Sequence, residues 1–209
     1  YFKRILVQDS TIVKLPFRLF EEMSGVANKT TQVANARIQV VYDLISEQFL
    51  KFEIEPYSKN DLKAAPELDL KNGDLCLRDR GYLTSKEIIR HIDNDAFYIY
   101  RHKFDTIYLD KNTYEPIDLL SMLKNKKRID MYVRLNVSPE TVVRIVAEPI
   151  SSEIANNRIR KAKKENKKLS SEYLKMLEWS IYITNLDATI FFFKDIFQLY
   201  SLRWKIETI

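Results

Sequence analysis

Three short stretches of the chain share one pattern, in which three apolar residues precede one polar residue and then Asp or Asn. The stretches are ILVQD, which ends at Asp9, LCLRD, which ends at Asp79, and IYITN, which ends at Asn185. Continuous apolar runs of this length are typical of strands covered on both faces, so the pattern predicts central strands of an α/β sheet. If these strands are parallel, their carboxyl ends gather the polar residues at one edge, where open α/β sheets bind ligands. The alternative is that Asp and Asn only begin turns or cap helices.

The segments between these runs predict the other elements of an α/β chain. Residues 35–46 and 48–59 have the composition of paired strands, with the clearest alternation from Phe49 to Ile54. Residues 60–74 predict a helix or a turn that leads into the second run. After Asp79, Thr84 with Glu87 three residues later fits a capping box, so we expect a helix there.

The second half of the chain divides into three stretches of different composition. Residues 97–150 are β-rich and bounded by prolines, residues 152–180 are helical and mostly basic, and the segment from Asp187 predicts one or two helices after the third run. We therefore expect a first core part at 1–95, a β-rich insertion at 96–150, and a third part at 151–209 that returns to the core.

Composition excludes several classes of site. The single cysteine, Cys76, excludes an internal disulfide, and His91 and His102 are too few for a Cys/His zinc site. The three glycines do not have the spacing of a dinucleotide fingerprint or a P-loop, so no nucleotide cofactor is expected. No apolar run has the roughly 20 residues of a membrane span, which predicts a soluble protein. Because the chain starts without Met or a signal pattern, we expect it to be part of a longer protein.

Positive charge is concentrated in one segment of the chain. Residues 119–170 contain 13 basic and five acidic residues, a net charge of +8, whereas the whole chain carries +5. This distribution indicates a polyanionic partner such as nucleic acid, and phosphate contacts are expected from Arg158, Arg160 and Lys164. The alternative is that these residues form only a solvated helix surface.

The last residues, LYSLRWKIETI, place three functional residue types on one side of a predicted helix. Glu207 lies about 20° around the helix from Tyr200, and Arg203 lies about 60° from Tyr200 in the same direction. Glu207, together with Asp9 and Asp79, provides the oxygen ligands that two Mg²⁺ ions about 3.5–4 Å apart require for phosphodiester chemistry. Arg203 and Tyr200 are suited to bind the scissile phosphate. Alternatively, Arg203 forms an ordinary helical ion pair with Glu207.

Taken in order, VQDST, LRDRGY, ITN and YSLRWKIE resemble motifs of the DDE transposases of bacterial insertion sequences, in the subgroup marked by Tyr-x2-Arg-x3-Glu-x6-Lys. The resemblance extends from Asp9 to Glu207 and implies a ribonuclease H-like mixed sheet flanked by helices, with a β-rich insertion between the second and third carboxylates. It also implies Mg²⁺-dependent cleavage and joining of transposon ends, with Mn²⁺ as a substitute and two ions in the DNA complex.

The resemblance implies a role for individual residues. Asp9, Asp79 and Glu207 match the catalytic and metal-binding triad, Tyr200 and Arg203 match the DNA-contacting part of the signature, and Asn185 matches a supporting residue. Arg80, beside Asp79, is a further candidate for phosphate contact. The chain ends at Ile209, before the Lys expected six residues after Glu207, so we expect a truncation there and also a missing N-terminal DNA-binding region.

The resemblance implies double-stranded DNA as a partner, both at transposon ends and at the target, and a second subunit in the DNA complex. It also implies a protein of the bacterial cytoplasm that does not bind a membrane. The alternative functions are a DNA-binding remnant or regulator without catalysis, and a nuclease that does not join strands.

The alternative acids are Asp43, Asp105 and Asp110, each expected in a turn or at the surface. We expect Cys76, Trp179 and Trp204 to pack against other side chains. Hairpin-forming members of the family hold a flipped base with an aromatic residue of the insertion, for which the candidates here are Phe97, Tyr98, Tyr100, Tyr108 and Tyr114.

Overall fold

The described part of the chain is organised around one mixed β-sheet. The computed structural model describes residues 1–25, 32–57, 67–165 and 168–208, of which 207 and 208 are described by their backbone only. Within these residues nine strands form a single sheet in the order β3-β2-β1-β4-β5-β9-β8-β7-β6. The strands are β1 Arg4–Leu15, β2 Ala34–Asp43, β3 Gln48–Pro56, β4 Asp74–Arg78, β5 Phe97–Arg101, β6 Tyr108–Asp110, β7 Ile129–Leu135, β8 Ser138–Pro149 and β9 Trp179–Thr184.

Helices cover both faces of the sheet. The α-helices are α1 Ser85–Asp93, α2 Leu119–Asn125, α3 Ser152–Glu165, α4 Ser171–Met176 and α5 Phe193–Ser201, and the 3-10 helices are Phe17–Leu19, Arg80–Tyr82 and Leu202–Thr208. The predicted α/β class, a mixed sheet flanked by helices, is confirmed, and it agrees with the ribonuclease H-like fold that the resemblance implies. No helix among the described residues is long and apolar enough to cross a membrane.

Strand direction decides which polar residues meet at one edge. β1 pairs with β4 in parallel, and β4 with β5 in parallel, so the first two apolar runs end at the same edge as expected. β9 is antiparallel to both β5 and β8, so the third run ends at the opposite edge. There Asn185 accepts a hydrogen bond from the Tyr98 amide (3.0 Å) and donates one to the Ala96 carbonyl (2.9 Å). Asn185 therefore does not join Asp9 and Asp79 at their edge, because the third run is antiparallel to the first two, and the residue holds the beginning of β5.

The β-rich residues 96–150 do not form a sheet of their own. They contribute β5, β6, β7 and β8, and β5 lies between β4 and β9 near the middle of the sheet. The predicted strands at 35–46 and 48–59 are confirmed as the antiparallel pair of β2 and β3. Of the predicted helix or turn at 60–74, residues 60–66 lie outside the described part of the chain.

Three apolar clusters form among the described residues, and the two larger ones lie on opposite faces of the sheet. On one face, Ile88 of α1 and Leu123 of α2 pack against Tyr98, Tyr100 and Ile183. On the other, Ile196 and Tyr200 of α5 pack against Val7, Leu77 and Ile99. Cys76 is fully buried, as expected, and Trp179 packs at the edge of the first core. We refer to these as the α1 face and the α5 face.

Side-chain caps fix the beginnings of several helices. The Thr84 hydroxyl accepts a hydrogen bond from the Glu87 amide (3.2 Å), so the predicted N-terminus of α1 is confirmed. The Glu87 carboxylate accepts hydrogen bonds from Arg78 and Arg90. These two arginines hold the Glu87 side chain, whereas in a capping box the Thr84 amide would hold it. The basic helix α3 buries only Ala155 among its described residues, so most of its charged side chains face solvent.

Both histidines are buried and uncharged at neutral pH. Burial lowers the pKa of His91 to about 4 and that of His102 to about 4. The His91 ring contacts the Glu87 carbonyl (2.6 Å), and the His102 ring contacts the Tyr108 hydroxyl (2.8 Å). In the unfolded chain both rings protonate at about pH 6.5.

We predict that acidification from pH 7 to pH 5 lowers the free energy of unfolding through these two rings. Because the folded pKa is depressed, the unfolded chain binds more protons between about pH 6.5 and 4, and each histidine removes about 2 kcal/mol by pH 5. Urea unfolding of the unaltered chain and of His91→Asn and His102→Asn variants measures the effect. Each variant is expected to lose less stability than the unaltered chain over this pH interval, and an equal loss would contradict the prediction.

Candidate active site

Asp9 and Asp79 lie side by side at one edge of the sheet. The parallel pairing of β1 with β4 ends at Gln8 opposite Arg78, so the next residue on each strand is an aspartate. Neighbouring strands are about 4.8 Å apart, which places the two carboxylates next to each other. β1 itself continues to Leu15, paired with β2, and Asp9 therefore lies where β1 loses its neighbour β4.

The Asp79 carboxylate is not used to cap the turn that follows it. Asp79 has an extended backbone and precedes the 3-10 helix Arg80–Tyr82, but its side chain makes no capping bond. Its main-chain carbonyl accepts the turn bond from the Tyr82 amide (3.1 Å). Among the described residues its Oδ1 is buried and has no hydrogen-bond partner. A buried carboxylate oxygen left without a donor fits a site for a cation.

Arg203 supplies positive charge to the two aspartates. Its Nη1 donates to Asp9 Oδ2 at 3.1 Å, across 194 positions of sequence, and its side chain is only 5% exposed. The guanidinium also stacks on the Trp204 ring, with the carbon 4.2 Å from the ring centroid. Burial alone would lower the pKa of Arg203, but Tyr200, Asp9 and Asp79 together raise it above the ordinary value. The cation therefore stays charged while it is nearly enclosed.

Tyr200 lies beside Arg203 and is 3% exposed. Its hydroxyl donates to the main-chain carbonyl of Arg78 at 3.5 Å, and its ring lies 4.4 Å from that of Tyr182. Burial raises the pKa of Tyr200, so it remains a neutral hydrogen-bond donor. Tyr200 and Arg203 thus share one side, as the sequence predicts, although α5 gives way to a 3-10 helix at Leu202.

The third predicted carboxylate belongs to this last 3-10 helix. The backbone of Glu207 lies within Leu202–Thr208, which contacts both β1 and β4, whereas its side chain lies outside the described residues. The described side chains contain no group of three metal-binding residues. Two oxygen donors, Asp9 and Asp79, are therefore in place, and they are of the type that hard divalent cations prefer.

Three arginines from different elements line one cavity beyond the end of β4. Arg80 follows Asp79 directly, and Arg101 ends β5, one register position beyond the pair of Arg78 with Tyr100. Arg158 of α3 donates to the Trp179 carbonyl (3.0 Å). Burial lowers the pKa of Arg158, and the charges of Arg101 and Arg80 lower it further, because the three cations are close. Arg101 follows the apolar stretch FYIY without any motif, so no sequence pattern predicts its place in this cluster.

The other predicted phosphate-binding residues of α3 are separate from this arginine cluster. Arg160 and Lys164 are exposed, and Arg160 bonds only Asn157 (3.2 Å) among the described residues. Arg158 is half-buried and faces the sheet. Of the three predicted phosphate-binding residues of α3, Arg158 therefore faces the site, whereas Arg160 and Lys164 lie on the outer surface of the helix.

None of the five aromatic candidates lines the cavity beside the arginines. Tyr98, Tyr100 and Tyr108 are buried in the α1-face core, Phe97 contacts Tyr1 and Phe2, and the Tyr114 ring lies under Arg134. The cavity next to Arg80, Arg101 and Arg158 is instead lined by Phe104, Tyr173 and Trp179. Phe104 and Tyr173 meet edge to face at 5.2 Å. Trp179 thus lines this cavity as well as packing against the core.

The alternative acids have structural or surface positions. Asp43 accepts hydrogen bonds from the amides of Ile5 and Ile45 and from the Ser46 hydroxyl, which lowers its pKa despite burial. Asp110 accepts from the amides of Asn112 and Thr113 in a turn. Asp105 is exposed. None of the three joins Asp9 and Asp79.

We predict that Asp9 and Arg203 stabilise the chain as a coupled pair. Replacing Arg203 by Met leaves two adjacent carboxylates without their cation, and we expect a loss of about 1–3 kcal/mol in EDTA at pH 7. In the Asp9→Asn/Arg203→Met double variant the loss should be smaller than the sum of the single losses by about 1 kcal/mol. Urea unfolding measures the cycle, with exposed Lys194→Met in place of Arg203→Met as the control. Additive losses in the Arg203 cycle would contradict the pair.

Comparison with known proteins identifies the family to which the chain is similar. The family model described as the transposase DDE domain matches residues 1–209. The chain is 30% identical to the transposase for insertion sequence element IS231B of Bacillus thuringiensis subsp. berliner and 29% identical to that for IS231E of subsp. finitimus, over all of this chain and 49% of each relative. It is 24% identical, with the same coverage, to the transposase for insertion sequence element IS1151 of Clostridium perfringens. The chain spans about half the length of these relatives.

Proposed function

The chain belongs to the transposase DDE domain family, and we propose that it is the catalytic core of an enzyme that cuts DNA at transposon ends and joins the cut strands to a target. The observation that supports this most directly is the placement of Asp9 and Asp79 side by side at the end of two parallel strands. The unpartnered Asp79 oxygen, among the described residues, indicates that the pair is arranged for a further ligand.

Membership of this family implies the use of a divalent metal ion, and we propose Mg²⁺, with Mn²⁺ as a substitute. Asp9 and Asp79 would hold it, and Glu207 would complete the set from the last helical segment. When bound, two such ions would activate the attacking oxygen and stabilise the leaving oxygen of the phosphodiester. The carboxylates fit this task because Mg²⁺ takes oxygen ligands and retains several waters.

The cations around the carboxylates are suited to bind the DNA backbone at the same place. Arg203 Nε is buried and has no hydrogen-bond partner among the described residues, so it is available to donate to a phosphate oxygen. Arg80, Arg101 and Arg158 lie on the other side of Asp79, beside the aromatic cavity. Phosphate groups there would be held by cations, and an unpaired base could stack on Phe104, Tyr173 or Trp179.

The proposal for the complete protein includes double-stranded DNA as the substrate and a dimer as the form that holds two transposon ends. DNA binding follows from membership of the family. It is supported in this chain by the concentration of positive charge on α3 and around Asp79.

We predict that Asp79→Asn and Glu207→Gln in the complete gene product abolish strand cleavage and strand transfer while DNA binding remains. Each change removes a metal-binding charge with almost no change of volume, and the loss should exceed about 10³-fold because the activated oxygen is not formed. Cleavage and joining of labelled transposon-end duplexes in Mg²⁺ and in Mn²⁺ are the measurements. Asp93→Asn, an exposed acid at the end of α1 and away from Asp9 and Asp79, is the matched control.

The outcomes separate the proposal from its alternatives. Cleavage retained by Asp79→Asn would overturn the assignment of this residue. Cleavage by the unaltered protein without any joined product would indicate a nuclease, and DNA binding without cleavage in either metal would indicate a regulator.

We further predict two different effects of the basic residues on DNA binding. Replacing Arg160 and Lys164 together by Ala should reduce the slope of log affinity against log salt by about 2, since each contributes one phosphate contact. Replacing Arg158 should also reduce cleavage, because it lies in the arginine cluster beside Asp79. Fluorescence anisotropy from 50 to 300 mM salt measures the slope. An unchanged slope would show that Arg160 and Lys164 make no phosphate contacts and form only a solvated helix surface.

A further inference from the structure

Arg78, the residue before Asp79, is anchored on the opposite face of the sheet from the carboxylates. Successive residues of a strand point to opposite faces, so Asp79 faces the α5 side while Arg78 faces α1. The Arg78 side chain is 4% exposed, and its Nη1 donates to Glu87 Oε2 of α1 at 2.6 Å and to the Tyr100 hydroxyl at 3.0 Å. Its guanidinium carbon lies 4.7 Å from the centroid of the Tyr82 ring.

The main chain of Arg78 is held from the other side. Its carbonyl accepts the hydrogen bond from the Tyr200 hydroxyl of α5 at 3.5 Å. One residue therefore connects helices on both faces of the sheet, through its side chain to α1 and through its carbonyl to α5. It also connects Asp79 to Tyr200, which lies beside Arg203.

Asp79 depends on this anchor because the sheet does not hold it directly. The ladder of β4 ends at Arg78, which is opposite Gln8 on one side and Tyr100 on the other. Beyond that point the Asp79 side chain has no capping bond, and within the described part of the chain its carbonyl accepts only the turn bond from the Tyr82 amide. The Arg78 guanidinium lies over the ring of the same Tyr82. Asp79 is therefore linked to the Arg78 side chain in two ways, through the peptide bond to Arg78 and through the turn bond to Tyr82.

We propose that Arg78 is a positioning residue for the second carboxylate. Through Glu87, Tyr100 and Tyr82 it fixes the end of β4 and the turn after it, so that the Asp79 oxygens are held in the geometry that a divalent ion needs. The inference rests on the proposed function, because it assumes that Asp79 binds metal. Groups that orient a metal ligand typically change metal affinity 10- to 100-fold when they are removed.

The other end of β4 offers a matched control. Arg4 donates from Nε to Asp74 Oδ1 at 2.8 Å and from Nη2 to Oδ2, and Asp74 is 1% exposed on its side chain. This ion pair fixes the same strand, but it lies at its beginning and makes no contact with the turn after Asp79. Its removal should destabilise the chain without altering metal binding.

The test is Mn²⁺ binding to the 209-residue chain, followed by the electron paramagnetic resonance signal of free Mn²⁺. We compare the unaltered chain with Arg78→Met, Arg78→Lys, Glu87→Gln, Asp79→Asn and the control Arg4→Met, and circular dichroism gives the Tm of each. Binding is measured at a temperature at which every variant compared is folded. Glu87→Gln and Arg78→Lys are included because Arg78→Met leaves Glu87 without its partner and can prevent folding.

We expect Arg78→Met to weaken Mn²⁺ binding at least tenfold and Glu87→Gln about threefold or more, while Arg78→Lys, which keeps the charge, restores part of the affinity. Arg4→Met should lower the Tm with less than a twofold change in affinity. If Arg78 or Glu87 variants lower the Tm and leave the affinity within twofold, the positioning role is overturned and the proposed function stands. If the Asp79→Asn variant binds Mn²⁺ as tightly as the unaltered chain does, the proposed metal site is overturned, and this inference is overturned with it.

Discussion

The repulsion between two neighbouring carboxylates is the interaction around which the rest of this structure is arranged. Asp9 and Asp79 meet because β1 and β4 are parallel and in register up to the residue before each. Their charges would oppose this pairing at close range unless a cation were present. Arg203 provides that cation from the end of the chain, and the α5 core brings it there through Ile196 and Tyr200. The fold of the last helices is thus coupled to the charge of the site.

The apolar runs predicted the central strands but not their directions. A run such as IYIT indicates a strand that is covered on both faces, but it does not show whether the neighbouring strands are parallel or antiparallel to it. For the first two runs the crossover connections made parallel pairing the outcome, and the aspartates converge. For the third run, the helices α3 and α4 connect β8 to β9, and the two strands pair in the antiparallel sense. Direction depends on the path of the intervening chain, which residue patterns within a strand do not encode.

The residues of the site differ in how far a sequence could reveal them. Asp79 and Arg203 belong to stretches with recognisable spacing, and Thr84 is identified by the local chemistry of a helix cap. Arg101 has no such context, since its position beside Asp79 exists only through the register of β4 with β5. The same holds for Phe104, Tyr173 and Trp179, which come from three different elements and meet at one cavity. Such groups are brought together by tertiary packing, and only a three-dimensional arrangement identifies them.

The alternation of a strand links the two faces of the sheet at the site. Each aspartate follows a buried polar residue that points the other way, Gln8 before Asp9 and Arg78 before Asp79. A buried polar side chain requires specific partners, whereas an apolar one tolerates small shifts, so these residues define the strand ends more strictly than a Leu or Val would. The α1-face network of Arg78, Glu87 and Tyr100 therefore limits how far the carboxylates on the α5 face can move. A site that must hold two like charges close together gains its rigidity from the core behind it.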